Sequence, residues 1–241
     1  MAGSLYHNFN KPVLHTFGGL AGTCHTIKSM LQILAVVMIW SQIFSVGLCA
    51  ISAEEALTAL KTGNTRFQNE KSVHPHQTKP WRDKMAIRQT PKAVVLTCSD
   101  SRVPPELVFD QGIGDLFVIR VAGNSVDDLV LGSIEYAVDH LKTPLIVVLG
   151  HQNCGAVKAA LESIHDLEGR LGSVVDPIAP AVAPASSPDR TAITVKNHVI
   201  NMVGKLKDSR PILTKALKEK DLEIVGGVYS LDSGKIEFFN Y

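Results

Sequence analysis

The chain carries no surplus of charge of either sign: 24 basic and 23 acidic side chains in 241 residues leave a formal net charge of +1. Such a chain projects no long-range field toward a polyanion, and no run of Lys and Arg is interleaved with its few aromatics, so nucleic acid is excluded as a partner class. No internal repeat is present, which excludes a solenoid or propeller. Cysteine is scarce as well. Of the four, Cys24 and Cys49 fall in the first 52 residues, and only Cys98 and Cys154 follow. Two cysteines close one disulfide at most, so a disulfide-built scaffold is excluded for that part of the chain.

What is present divides the chain at about residue 52. Residues 30–50 (MLQILAVVMIWSQIFSVGLCA) hold no formal charge and are preceded by Lys11 and Lys28, a membrane-targeting pattern. Ala50-Ile51-Ser52 offers small residues where a signal peptidase reads. Residues 1–52 are therefore expected to be a signal peptide, giving an exported, periplasmic or lumenal protein. The alternative is a retained membrane anchor, with the membrane touched only through this segment. A lipid on Cys49 is a third option, against which Leu48 is bulkier than that cleavage usually accepts. Residues 53–241 are long enough to bury one sizeable core, and one catalytic domain is expected there.

Within that domain Ser52 and Glu55 form a capping-box pattern opening a helical stretch over 53–70. The chain breaks at His74-Pro75-His76 and again at Pro80. Short runs of Val, Ile and Leu then alternate with helical segments: apolar runs at 93–97, 116–121, 145–149 and 222–229, helices near 128–141, 155–167, 191–208 and 211–220. Runs apolar on both faces fit parallel strands covered on two sides, so the expectation is an α/β fold with a mostly parallel sheet flanked by helices. A last strand at 235–239, after the turn Asp232-Ser233-Gly234, should pair antiparallel with the one before it. The proline-rich stretch 176–189 (DPIAPAVAPASSPD) reads as a surface excursion with little that could pack.

Two apolar runs end in the same kind of chemistry. AVVLT leads into Cys98-Ser99-Asp100-Ser101-Arg102, and LIVVL into Gly150-His151-Gln152-Asn153-Cys154. In open parallel sheets ligands sit beyond the carboxyl ends of the strands, and neighbouring strands lie roughly 5 Å apart. Adjacent strands would thus bring Cys98, His151 and Cys154 to one point, as a zinc set with the fourth position open. A helix starting at Cys154 would favour its thiolate. Asp100 could accept a hydrogen bond from a water in the open position while Arg102 holds the carboxylate bidentately; without Arg102, Asp100 would become a fourth ligand. Taken singly, Cys98 reads as a buried strand-end thiol, His-x-x-Cys is weak, and the two cysteines could instead pair as a redox dithiol. The conjunction of all five residues points to a metal site. His74 and His76 sit in a Pro-broken loop, His140, His165 and His198 lie on helical stretches and read as solvated side chains, and none is singled out as a proton relay.

These motifs resemble the β-class carbonic anhydrases over nearly the whole of residues 53–241, through CSDSRVPPELVFDQGIGDLFVIRVAGN, GSIEYAV and VVLGHQNCGAV. The resemblance implies Cys98, His151 and Cys154 as zinc ligands, Asp100 with Arg102 as the catalytic dyad, and substrate-pocket roles for Gln89, Phe117, Tyr136 and the backbone of Gly155. Ala122 stands where the family pocket often has Val. It implies interconversion of carbon dioxide and bicarbonate by a homodimer or homotetramer, with the leading helix packed on a partner. Hydrolysis of a carbon dioxide isostere (carbonyl sulfide or carbon disulfide) or a non-catalytic bicarbonate-binding subunit are the alternatives. One branch of the family has Trp three residues before the first zinc cysteine, as part of an inhibitory bicarbonate site. Val95 stands there, so that site is expected to be missing although Arg120 could hold an anion, and the resting centre is expected to be open, with Asp100 off the metal.

Overall fold

The computed structural model describes residues 51–162 and 167–239. The targeting segment expected over 1–52, all but its last two residues, and His165 lie outside the described residues. No helix among the described residues is long and apolar enough to cross a membrane.

The element order is α1 (Ala53–Gln68), α2 (Lys79–Met85), β1 (Ala93–Thr97), the short α3 (Pro105–Val108), β2 (Leu116–Arg120), α4 (Asp128–Asp139), β3 (Leu145–His151), α5 (Gly155–Leu161), the single turn α6 (Gly172–Val175), α7 (Arg190–Lys207), α8 (Ile212–Glu219), β4 (Glu223–Tyr229) and β5 (Ile236–Phe239), with 3-10 turns at Ala122–Asn124 and Asp176–Ala181. The strands form one sheet in the order β2-β1-β3-β4-β5. The first four are parallel, and β5 runs antiparallel to β4 as its short turn dictates.

Strand residues alternate between the two faces, and that alternation builds two cores. Val94, Leu96, Ile146, Val148 and Ile224 face α4, α7 and α8. Ala93, Val95, Leu145, Val147, Leu149 and Val225 face α1 and the Val103–Phe109 stretch. Because β1 and β3 are buried along their whole length on both sides, their residues are apolar up to the carboxyl ends, where Thr97 and His151 stand, and the strands show no polar alternation. β2, at the edge, is only half-buried.

α1 begins with the capping box: Ser52 Oγ accepts from Glu55 N at 3.2 Å, and the Glu55 carboxylate accepts from Ser52 N at 2.8 Å. It docks through Gly63 and Asn64. A Cβ at Gly63 would sit 1.8 Å from the Phe109 carbonyl oxygen, so only glycine permits this approach. Buried Asn64 donates to Val108 O (2.9 Å) and Gly234 O (2.8 Å) and accepts from Ile236 N (3.0 Å), tying the helix to the start of β5. Asn64→Leu strands three backbone groups and is expected to destabilise the fold by about 3 kcal/mol or more. Denaturant midpoints measure this; an unchanged midpoint would mean the bridge contributes nothing.

The 176–189 stretch differs from its expectation. Ile178, Ala181 and Ala183 are buried, because apolar residues spaced between the prolines pack on α5 and α7. Backbone groups freed by the prolines are met by side chains of α7: Ala183 N donates to Thr194 Oγ (3.0 Å), Ala183 O accepts from Arg190 (2.9 Å), and Ala181 O from Asn197 (3.2 Å). Its first part, 176–183, is a wall of the domain behind the strand ends, while 184–189 lie mostly at the surface as expected.

Candidate metal centre

β1 and β3 are parallel neighbours with Thr97 opposite Leu149. Cys98 therefore follows β1 directly, while His151 is the last residue of β3, so the two chains deliver them to the same end of the sheet. Asn153, in the left-handed conformation at φ 56°, turns the chain so that Cys154 caps α5. The two sulfurs and a ring nitrogen of His151 lie within 4.8 Å of one another, and all three side chains are buried.

The donor set fits a cation. His151 Nδ1 lies 2.9 Å from Gln152 O, and a carbonyl only accepts, so Nδ1 carries the proton and Nε2 presents its lone pair. That buried Nε2 has no protein partner. The sulfurs are unbonded thiols. The hydrogen bond from Cys154 pulls the Cys98 thiol down, with the Gly123 N–H adding to it. Cys154 goes the other way, because the Cys98 thiolate beside it holds the shared proton there. Backbone N–H groups of Ala156 and Val157, at the start of α5, favour a Cys154 thiolate as expected but are outweighed in the metal-free chain. A dication in place of that proton lets both sulfurs be thiolates.

Asp100 stands beside this set, its Oδ2 3.9 Å from His151 Nε2. Arg102 grips it bidentately, Nε to Oδ1 at 2.9 Å and a terminal nitrogen to Oδ2 at 2.7 Å, with the Arg102 backbone N–H adding a third bond at 3.0 Å. Those bonds, the Arg102 side chain first, hold the carboxyl below the usual carboxylate range. Arg120, read as a possible anion holder, instead donates to Cys98 O (3.2 Å) and Asp100 O (2.6 Å) and so braces the loop that carries both. Val95 is fully buried against the α1 side of the sheet.

Gly155 follows Cys154 directly, and the space over its Cα is open. Gln89, Phe117 and Tyr136 are not brought to this point within one chain. Gln89 is exposed on the segment between α2 and β1. Phe117 and Tyr136 face each other at 6.3 Å in a hollow of about 300 Å³ shared with Asp128, Leu129, Gly132 and Ser133. Phe117 pairs with Val94, four residues back along β1 from Cys98, or about 13 Å.

Two histidines find partners, of which only His198 had been expected to be solvated. His76 Nδ1 lies 2.6 Å from Asp115 Oδ2 and its ring stacks on Trp81 at 3.7 Å. His198 is buried, its Nε2 2.9 Å from Gly123 O. Its signal was available: it lies on the same helical stripe as Val195, Val199 and Met202, so a polar reading overlooked the apolar face around it. His140 is exposed as expected, against Tyr136.

Two thiols and an imidazole at the carboxyl ends of parallel strands, with an ionised carboxylate facing the remaining side, define a metalloenzyme of the kind that keeps one coordination position open. The family model described as "Carbonic anhydrase" matches residues 93–236. Carbonic anhydrase 2 of Mycobacterium tuberculosis is 43% identical over 185 residues, covering 75% of this chain and 89% of that one. The carbonic anhydrase of Mycolicibacterium smegmatis is 41% identical over 187 residues, covering 76% and 91%. Among solved structures, a tetrameric β-carbonic anhydrase of Sordaria macrospora superposes with a TM-score of 0.63 at 28% identity over 75% of this chain and 94% of that one. The Coccomyxa enzyme, solved with acetazolamide, gives 0.60 at 30% identity over 75% and 83%. The chain belongs to the β-carbonic anhydrase family, whose metal is zinc.

Proposed function

We propose that the protein catalyses the reversible hydration of carbon dioxide to bicarbonate and a proton, with Cys98, His151 and Cys154 holding zinc. The observation that carries this is the unpartnered His151 Nε2 converging with two thiol sulfurs beside an ionised Asp100. When bound, zinc supplies a Lewis acid that makes water a usable nucleophile near neutral pH. Asp100 can then only accept a hydrogen bond, so it orients the nucleophile's proton away from the attacking lone pair. Arg102 keeps Asp100 ionised and prevents it from taking the open side itself. The cluster of Val157, Ile178 and Val195 behind the sulfurs excludes bulk water and strengthens the electrostatics in front of it. Open space over Gly155 lets a small substrate approach the set.

The pocket roles of Gln89, Phe117 and Tyr136 fit a second copy. Supplied across a subunit contact at the half-buried β2 edge, where Leu129 is also exposed, these side chains would complete the substrate pocket that one chain leaves open. A homodimer or homotetramer is the corresponding assembly. The uncharged 30–50 segment supports export, with membrane anchoring as the alternative.

One preparation tests these points. The protein, recovered from the exported or membrane fraction of its cells and sized by light scattering as a dimer or tetramer, should bind one zinc per chain and hydrate carbon dioxide at pH about 8.5 in preference to hydrolysing carbonyl sulfide. Stoichiometric zinc without hydration would refute the catalytic assignment; a Cys98–Cys154 disulfide with no metal would favour a redox role.

A further inference from the structure

The turn Ala122–Asn124 lies against the sulfur of Cys98 without belonging to either strand end. Gly123 N donates to Cys98 Sγ at 3.4 Å. Its φ is 75°, and a Cβ there would meet Ile178 at 2.9 Å and Ala156 at 3.1 Å, so this position is shaped for glycine. The other end of the same residue is gripped by α7. Gly123 O accepts from His198 Nε2 at 2.9 Å, and Ser125 Oγ lies 3.2 Å from the same nitrogen. One turn further along, Met202 Sδ accepts from Val126 N at 3.3 Å, and Lys205 Nζ donates to Val126 O at 2.6 Å. His198, Met202 and Lys205 are spaced i, i+4, i+7, so a single stripe of α7 clamps residues 123–126.

A histidine is an expensive choice for this interior. His198 is 1% exposed, and its Nδ1 has no partner. A leucine or methionine would fill the space without the unmet ring nitrogen, but would leave the buried Gly123 carbonyl without a donor. Burial also lowers its pKa, keeping the ring neutral. A carbonyl only accepts, so the one ring proton sits on Nε2 and points at Gly123 O.

We infer that His198 is a positioning residue for the metal centre, holding the Gly123 turn so that its N–H is aimed at the Cys98 sulfur. This rests on the reading of Cys98 as a metal ligand. The linkage is geometric: with Gly123 O pinned by the ring, the φ of 75° that aims the Gly123 N–H at the sulfur is held in place. Partners beyond the ligands themselves typically change metal affinity or activity by about 10–100-fold.

The test compares His198→Leu, which removes the donor, with His198→Gln, whose amide nitrogen can donate from nearly the same place. Both are purified as the full chain and loaded with zinc or cobalt(II). In His198→Leu, zinc should be lost to a chelator at about 10–100-fold lower chelator concentration than in wild type. The thiolate-to-cobalt charge-transfer band should move to longer wavelength, because a sulfur without its N–H partner is more electron-rich. His198→Gln should restore both. A merely structural role would lower the melting temperature without moving the band. In wild-type holoprotein, nitrogen chemical shifts of His198 should report the Nε2-protonated tautomer; an Nδ1-protonated ring would overturn the inference whether or not the variants fold. A Leu variant with wild-type band position and chelator resistance would overturn it alone, while a wild-type chain that takes up neither metal would overturn the metal-centre reading and this inference together.

Discussion

Cys154→Ser should empty the centre of zinc and lower carbon dioxide hydration by more than about a thousandfold, the size of losing several kcal/mol of metal-derived barrier reduction. Serine fills nearly the same volume, so the strand ends and α5 stay in place. Its hydroxyl, however, is not deprotonated at neutral pH, and a hydroxyl is no substitute for a thiolate as a ligand. The serine hydroxyl can still donate a hydrogen bond to the Cys98 sulfur, so what the change removes is the second thiolate. Metal analysis after dialysis and stopped-flow hydration read the loss of zinc and the loss of rate separately. One zinc per chain with hydration near that of wild type would remove the basis for the ligand assignment.

The second large effect divides the dyad from the metal. Asp100→Ala should keep zinc, because Asp100 is not among the three convergent ligand atoms, yet lose about 10²–10⁴ in kcat/KM, the range for a positioned proton-handling group. Arg102→Ala should also keep zinc and lose rate, by another route. Its bonds to both carboxylate oxygens are what keep Asp100 turned from the open side, and Asp100 Oδ2 is already 3.9 Å from His151 Nε2. Freed, the carboxylate should occupy that side and close it. The discriminating comparison is the double variant: removing Asp100 as well should restore part of the rate lost in Arg102→Ala, since there is then no carboxylate to close the site. If the double variant is slower than both single ones, Arg102 acts on the substrate rather than by restraining Asp100.

The strands were legible for a simple reason. In β1 and β3 nearly every residue faces one of two cores, so runs such as AVVL and LIVVL stay apolar without interruption and mark themselves. The ends were less distinct: β3 continues through Gly150 to His151, because its ladder with β4 runs on to Tyr229 and the ligand is itself a strand residue. The 176–189 stretch misled, since four prolines suggest a loop and nothing local announces that Ile178 and Ala181 meet α5 and α7. The partners of buried polar residues were illegible in the same way, although the apolar stripe around His198 marked its burial. Asn64 joins groups 44 to 172 residues away, and His198 reaches back 75 residues to Gly123. Such bonds leave no periodic trace in the chain.

By itself the amino-acid order pointed to the Cys98, His151 and Cys154 trio, the Asp100–Arg102 pair and the parallel-sheet architecture, because these depend on residue type within short motifs and on apolar runs set by burial. The tertiary structure alone decided that Arg120 braces the loop, that α7 reaches the Cys98 side through His198, and that Phe117 and Tyr136 stand apart from the trio in a single copy. Those are matters of distance between segments remote in sequence, and only packing brings such segments together.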